Sequence, residues 1–172
     1  MNIALTAFTR RGAALAKALA EALEADGHSC ALACQEKLRD LRPGAEIFES
    51  LGRWAGEQFS PQDALFFVGA CGIAVRAIAP YVKDKFTDPA VVCVDEGGRF
   101  AVPLLSGHVG GANDLARRTA AITGGQAAIS TATDVNGLFA VDEWAVKNGF
   151  AITDRQLAKA GSAALLAGEK VG

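Results

Sequence analysis

The sequence predicts an α/β fold: a doubly wound, mostly parallel sheet of about five strands with an inserted β-hairpin and a helical C-terminal tail. Short apolar runs typical of buried strands alternate with longer segments whose apolar residues recur every three or four positions, as in helices. Strands separated by helices of this length pair in parallel through right-handed crossovers. Hydrophobic residues make up 51% of the 172 residues and aromatic residues only 7%, which suits helices packed closely on a sheet.

The five predicted strands are short apolar segments bounded by turn residues, and they lie at residues 2–7, 28–33, 64–68, 90–94 and 126–130. The third strand, ALFFV, is apolar throughout, as expected of a strand covered on both faces. After the fourth strand, Asp95-Glu96-Gly97-Gly98 predicts a hairpin turn, from which residues 99–104 return as a short antiparallel strand. We interpret the two carboxylates of this turn as solvated.

Six helices are predicted, at residues 11–25, 50–58, 69–79, 112–123, 138–148 and 155–167. The first places Leu15, Leu19 and Leu23 on one face, the pattern of a helix packed on a core. Ser50 is a suitable N-cap for the second helix. Residues 34–47 and the polar segment 131–137 are predicted to be loops.

We divide the chain into an α/β domain over residues 1–137 and a helical linker region over 138–172, which would lead to a further C-terminal domain. The 17 Lys and Arg residues against 19 Asp and Glu residues give a net charge of −2, so nucleic acid and anionic membrane surfaces are not expected partners. The sequence has neither a long apolar run nor a signal-peptide pattern. We therefore expect a cytoplasmic protein without a membrane span.

The four cysteines, Cys30, Cys34, Cys71 and Cys93, form no CxxC pair. Cys30 and Cys34 lie close to His28, but three ligands on one short segment cannot close a tetrahedral metal site by themselves. We expect buried thiols and no protein metal site.

Candidate functional residues concentrate in four loops. In open α/β sheets, ligands bind at the carboxyl ends of the strands near the point where the strand order reverses. We expect the loops at residues 6–12, 69–76, 105–113 and 131–134 to share that edge of the sheet.

The segment 69–76 runs from a buried strand into a helix. Free N–H groups and the helix dipole make such a turn a site for anions, and Arg76 could grip a carboxylate there. Gly69 and Gly72 would border the ligand. The alternative is that the two glycines only permit a tight turn and that Arg76 is solvated.

The segment 105–113 is rich in glycines that could let a ligand approach the backbone, namely Gly107, Gly110 and Gly111. Ser106 and His108 would expose a hydroxyl and an imidazole on the same loop, with Asn113 in the first turn of the following helix. His108 is the candidate general acid or base because its ordinary pKa lies near neutrality. The alternative is a loop histidine without a function. The glycine spacing does not match a dinucleotide or P-loop fingerprint.

The segment 131–134 offers hydroxyls and a carboxylate to a polar ligand through Thr131, Thr133 and Asp134. The alternative is that Thr133 or Asp134 simply caps the following helix.

Four blocks carry a resemblance to a known family: GACGIAVRAIAP, DPAVVCVDE, VPLLSGHVGGANDL and TATDVNGLFAVDEW, which lie at residues 69–80, 88–96, 102–115 and 131–144. Together they resemble the cobalt-precorrin-5A hydrolases of anaerobic cobalamin biosynthesis, in their N-terminal and central regions. The resemblance implies opening of the ring A δ-lactone of a cobalt-corrinoid, release of acetaldehyde, and formation of cobalt-precorrin-5B. It implies no cofactor, since the cobalt belongs to the substrate.

On this hypothesis His108 activates water, and the N–H groups of Gly110 and Gly111 stabilise the oxyanion. Asp134 or Ser106 would then manage the proton as acetaldehyde leaves, while the 69–76 turn would hold a substrate carboxylate. Two alternatives stay open: a non-catalytic corrinoid-binding module that needs a C-terminal domain or subunit, and a flavodoxin-like nucleotide or flavin binder.

Overall fold

The computed structural model describes residues 1–41, 44–141, 144–145, 148–169 and 171. The chain forms two compact units, Met1–Ala128 and Ile129–Gly172, which we describe separately. The division into a domain over 1–137 and a linker over 138–172 stays a prediction.

The first unit contains a sheet of seven strands in the order β3-β2-β1-β4-β5-β6-β7, counted over the described residues. The strands are β1 (Asn2–Ala7), β2 (Ser29–Cys34), β3 (Glu46–Ile47), β4 (Ala64–Val68), β5 (Ala90–Val94), β6 (Phe100–Leu105) and β7 (Gln126–Ala127). The pairs among β1 to β5 are parallel, β6 is antiparallel to β5, and β7 is parallel to β6. The predicted fold class is confirmed, with the hairpin built into the sheet and a short extra strand, β3, inside the predicted loop.

Most of the helices begin and end close to the predicted residues. They are α1 (Arg10–Ala25), α2 (Leu51–Phe59), α3 (Cys71–Ile78), α4 (Ala112–Thr123), α5 (Ala132–Val135) and α6 (Arg155–Leu166). Ser50 caps α2 as predicted, because its hydroxyl accepts a hydrogen bond from the Arg53 N–H. A 3-10 helix at Glu36–Leu41 and the short helix α5 lie where loops were predicted. The predicted helix over 138–148 falls partly outside the described residues.

The sheet is covered on both faces, as a doubly wound fold requires. Helices α1 and α4 pack on the face that carries Leu5 and Phe66, and helices α2 and α3 pack on the face that carries Leu65 and Phe67. All five residues of β4 are buried. No helix among the described residues is both long and apolar enough to cross a membrane.

The direction of β6 decides where the functional loops lie. Leu105 pairs with Val91 at the start of β5, whereas Ala101 pairs with Val94 at its end. Strand β6 therefore ends at the amino edge of the sheet, opposite the edge where β1, β4 and β5 end. The expectation that the 105–113 loop shares an edge with the 6–12 and 69–76 loops is wrong, because the tight hairpin after β5 reverses the chain.

Candidate functional site

Two helices begin side by side at the carboxyl edge, where the strand order reverses between β1 and β4. The Thr9 hydroxyl accepts a hydrogen bond of 3.0 Å from the Gly12 N–H and so caps α1. A Cβ on Gly12 would lie 3.3 Å from the Val68 carbonyl oxygen, so the first turn of α1 packs closely against the end of β4. Open α/β sheets bind ligands at such a point.

The start of α3 has the features of an anion site. Its N-cap, Ala70, has no side-chain capping bond, and no acceptor among the described residues bonds the N–H groups of Cys71 and Gly72. The Arg76 side chain folds back toward this turn, with Nη2 3.5 Å from the position of a Cβ on Gly72. The prediction that Gly69 borders a ligand is wrong, since a Cβ added to Gly69 would lie 2.6 Å from the Phe8 ring. Gly69 therefore makes room for Phe8 and not for a ligand.

The hairpin turn between β5 and β6 closes this edge. The Asp95 carboxylate accepts hydrogen bonds from the N–H groups of Gly97 and Phe100, at 2.9 and 2.6 Å, so it stabilises the turn. The Glu96 carboxylate accepts a 2.6 Å bond from the Thr9 hydroxyl. Glu96 thus places a negative charge beside the start of α1, a contact that the sequence analysis missed.

Two neighbouring cysteine thiols, those of Cys71 and Cys93, lie close to Gly69 and the start of α3. The buried Cys93 thiol donates to the Gly69 carbonyl at 3.2 Å, and burial, with the neighbouring Cys71 thiol, raises its pKa. Across the part of the chain that the structure describes, no group of three His, Cys, Asp or Glu side chains is placed to hold a metal ion.

At the amino edge, Ser106 is buried and its backbone is strained. It is the one non-glycine residue with positive φ, at 53°, among the described residues. Its hydroxyl donates a 2.8 Å hydrogen bond to the Asp88 carbonyl oxygen. The expectation of an exposed hydroxyl is therefore wrong, because the sharp turn from β6 toward α4 points this side chain inward.

Two of the three loop glycines are needed for packing inside the loop. A Cβ on Gly107 would lie 2.7 Å from Asn113 Oδ1, and a Cβ on Gly110 would lie 2.5 Å from Ser106 Cβ. Asn113 is only 2% exposed, so it supports the loop from within and does not line an open surface. Gly111, with φ 82° and open space around it, is the glycine that a ligand could approach.

The backbone donors of this loop are largely used by the loop itself. The N–H groups of Gly111, Ala112 and Asn113 donate to the carbonyls of His108, Ser106 and Gly107 respectively, at 3.0, 3.2 and 3.0 Å. The Gly111 N–H is therefore committed, contrary to the oxyanion hypothesis. The Gly110 N–H has no acceptor among the described residues. His108 lies between Ser106 and Gly110 in the sequence of the loop, and its side chain is partly exposed.

Asp88 connects this loop to a neighbouring cavity and is a residue that sequence reasoning missed. Its Oδ2 accepts hydrogen bonds from the N–H groups of Lys83 and Asp84, at 2.8 and 3.1 Å. A cavity of about 450 Å³, lined in part by Tyr81, Lys83 and Thr87, lies beside it. The Asp-Pro dipeptide before β5 was the available signal, since such pairs favour turns.

The remaining candidates lie in the second unit. Thr131 is the N-cap of α5, and its hydroxyl donates to the carboxylate of Asp134 in the first turn. Thr133 is buried. The hydroxyl and carboxylate thus support the start of α5, and their predicted roles toward a ligand stay predictions.

Residues 53–134 match the family model "Cobalamin synthesis G N-terminal". The chain is 43% identical over 175 residues to the cobalt-precorrin-5A hydrolase of Salmonella typhimurium, covering 99% of this chain and 47% of that protein. The chain is similar to the cobalt-precorrin-5A hydrolases. The hydrolase of Priestia megaterium is 42% identical over 92 residues, which are 54% of this chain and 25% of that enzyme. The resemblance predicted from the four blocks is confirmed.

A solved structure shares the fold. The crystal structure of a protein described as a cobalamin biosynthesis protein G homologue, from Sulfolobus solfataricus, matches with a TM-score of 0.59 and 23% identity, over 96% of this chain and 46% of that chain. The chain thus spans about half the length of the hydrolases that it resembles. The family match includes both the Arg76 turn and the His108 loop.

Proposed function

We propose that this chain supplies the N-terminal half of a cobalt-precorrin-5A hydrolase, which opens the ring A δ-lactone and releases acetaldehyde to give cobalt-precorrin-5B. The observation that carries the proposal is the 43% identity to the Salmonella hydrolase across nearly the whole chain. The reaction needs no protein-bound cofactor, since hydrolysis consumes only water and the cobalt belongs to the substrate.

Within this chain, we place the chemistry at the His108 loop. His108 accepts a proton from water, which adds to the lactone carbonyl, and the ring C–O bond breaks to give a carboxylate and a free hydroxyl. The Gly110 N–H is the backbone donor available for the oxyanion. Loss of the hydroxyl proton then allows a retro-aldol cleavage: the C=O bond of acetaldehyde forms, the C–C bond to the macrocycle breaks, and the electron pair of that bond stays on the macrocycle, which takes up a proton. Strain at Ser106 supports this placement, because strained backbone concentrates at functional sites.

The Arg76 turn is proposed as a separate anion site. The five residues of β5 span roughly 17 Å at about 3.3 Å per residue, and the two sites lie beyond opposite ends of that strand. Arg76 and His108 therefore do not act on the same bond. We expect the Arg76 site to bind a carboxylate away from the lactone.

The remaining part of the hydrolase is the proposed partner, on the same polypeptide or as a subunit, and the cytoplasm is the proposed compartment. Neither the flavodoxin-like alternative nor the non-catalytic alternative is favoured, since the curated relatives are hydrolases.

The test uses a chimera in which residues 1–172 replace the matching region of the Salmonella hydrolase. With cobalt-precorrin-5A as substrate, released acetaldehyde is measured by coupled reduction with NADH. We expect His108→Asn to lower kcat by roughly 10²- to 10⁴-fold, the usual contribution of a general base. Normal turnover by His108→Asn would remove His108 from the mechanism.

His28→Asn is the matched control, because this second histidine lies immediately before β2 and contacts the N-terminal amino group. Arg76→Gln tests the separation of the two sites and should leave kcat nearly unchanged. A folded chimera that releases no acetaldehyde would contradict the proposed function.

A further inference from the structure

The second unit carries an apolar groove that the proposed chemistry does not use. Five large apolar residues of its lining are exposed, and we call the surface that they form the tail groove: Phe139, Trp144, Phe150, Leu157 and Val171. The groove encloses about 460 Å³. Leu157 is 70% exposed and Phe150 is 61% exposed. Large apolar side chains gathered in this way mark an interaction surface.

Three aromatic rings of the groove lining contact one another through Trp144. The rings of Trp144 and Phe150 stack, with centroids 5.3 Å apart and planes 10° apart. The Phe139 ring contacts Trp144 at a tilt, with centroids 6.2 Å apart and planes 53° apart. Aromatic rings present a large contact area with few rotatable bonds, which is why they are enriched where proteins associate.

The charges of the groove favour a protein surface over the corrinoid. Among the described lining residues, Asp154 is the one charged side chain. Its Oδ1 already accepts hydrogen bonds of 2.9 Å from the N–H groups of Gln156 and Leu157, as the N-cap of α6. No Lys or Arg among those residues could pair with the carboxylates of a corrinoid. An apolar partner suits this lining because burying exposed apolar area is favourable.

We propose that the tail groove is the docking surface for the part of the hydrolase that has no counterpart in these 172 residues. This inference rests on the proposed function. The aligned region is 47% of the Salmonella hydrolase, so more than half of that enzyme lies outside it. That remainder would bury the aromatic cluster and Leu157 against its own apolar residues.

Hydroxyl-radical footprinting of the chimera tests the docking, because it reads the accessibility of single side chains by mass spectrometry. We expect the oxidation rates of Phe150 and Leu157 to fall several-fold in the chimera relative to the isolated chain. Phe100, a phenylalanine of the first unit that is 50% exposed, is the matched control and should keep its rate. Phe150→Ser should return the Leu157 rate toward that of the isolated chain, whereas Phe100→Ser should not.

Unchanged rates for Phe150 and Leu157 in a folded chimera would overturn the docking proposal. Protection already present in the isolated chain would also overturn it, and a dependence on protein concentration would identify a second copy as the occupant. Protection without acetaldehyde release would leave the docking intact and count against the proposed function. If the chimera fails to fold, the aligned positions are read in the Salmonella hydrolase itself, where exposure would again overturn the proposal.

Discussion

The Ser106 hydroxyl donates a 2.8 Å hydrogen bond to the Asp88 carbonyl oxygen, and this bond ties the loop after β6 to the residue before Pro89 and β5. It holds Ser106 in its left-handed conformation at φ 53°. The position of His108, two residues further along the loop at the amino edge, therefore depends on a contact between segments 18 residues apart.

Substitution of Ser106 separates the hydrogen bond from the backbone strain. Ser106→Ala should lower the free energy of unfolding by about 1–2 kcal/mol, because it leaves a buried carbonyl without its donor. Ser106→Gly loses the same bond but relieves the left-handed strain, so it should be more stable than the alanine variant by about 1 kcal/mol. Urea unfolding followed by circular dichroism measures both, and an equal or greater loss for glycine would contradict the strain.

Gly110 should tolerate substitution less well than Gly111. A Cβ on Gly110 meets Ser106 Cβ at 2.5 Å and the Ser106 carbonyl oxygen at 2.9 Å, so Gly110→Ala should cost about 3 kcal/mol through overpacking. Gly111→Ala has open space and should cost about 1 kcal/mol for its positive φ alone. Gly27→Ala, with φ 87° and open space, sets the baseline for that strain. Similar midpoints of thermal unfolding for all three variants would contradict the packing.

The Asp26–Arg118 pair makes the free energy of unfolding depend on pH. Arg118 donates hydrogen bonds of 2.5 and 2.8 Å to the carboxylate, and these bonds, aided by the charge of Arg118, lower the pKa of Asp26 below its ordinary value of 3.8. A carboxyl whose pKa is lowered by folding adds stability above its unfolded pKa and loses it as the pH falls through its folded pKa.

The wild type should therefore exceed Arg118→Gln in unfolding free energy near neutral pH, and the two should converge in strong acid. Denaturant titrations over a pH series measure the difference. Arg117→Gln is the control, since Arg117 pairs with Asp114 within one turn of α4. A difference between wild type and Arg118→Gln that does not change with pH would rule out the linkage.

The Cys30 thiol should react slowly with alkylating reagents. Burial, with a contribution from Glu24, raises the pKa of Cys30 from 9.0 to about 11. At pH 8 this lowers its thiolate fraction about 100-fold, and the thiolate is the reactive form. Mass spectrometry of iodoacetamide labelling should show a Cys30 rate that climbs steeply as the pH approaches 11. Labelling at pH 8 as fast as in the urea-unfolded chain would contradict the shift.

Most of the fold could be predicted because the signals are local. The buried run of β4, the leucine face of α1 and the cap at Ser50 each depend on neighbours within a few residues, and each prediction is confirmed. The short strand β3 was missed because two residues carry too little pattern to detect. Its pairing with β2 depends on the tertiary fold.

The candidate site was predicted less well. The sequence identified the His108 loop and the Arg76 turn but joined them at one edge of the sheet. The predicted hairpin already implied the reversal, because an antiparallel strand sends the next loop to the opposite edge. The inward orientation of Ser106 and Asn113 had no comparable signal in the sequence.

The sequence by itself determined the fold class, the approximate bounds of most strands and helices, and the relation to the cobalt-precorrin-5A hydrolases, since these follow from local periodicity and extended motifs. The tertiary structure alone decided that the Ser106 and Asn113 side chains turn inward and which glycines have open space. The sequence of a loop does not show which side chains will lie next to its glycines. Only the packing of the folded loop brings Ser106 against Gly110 and Asn113 against Gly107, and leaves the space beside Gly111 open.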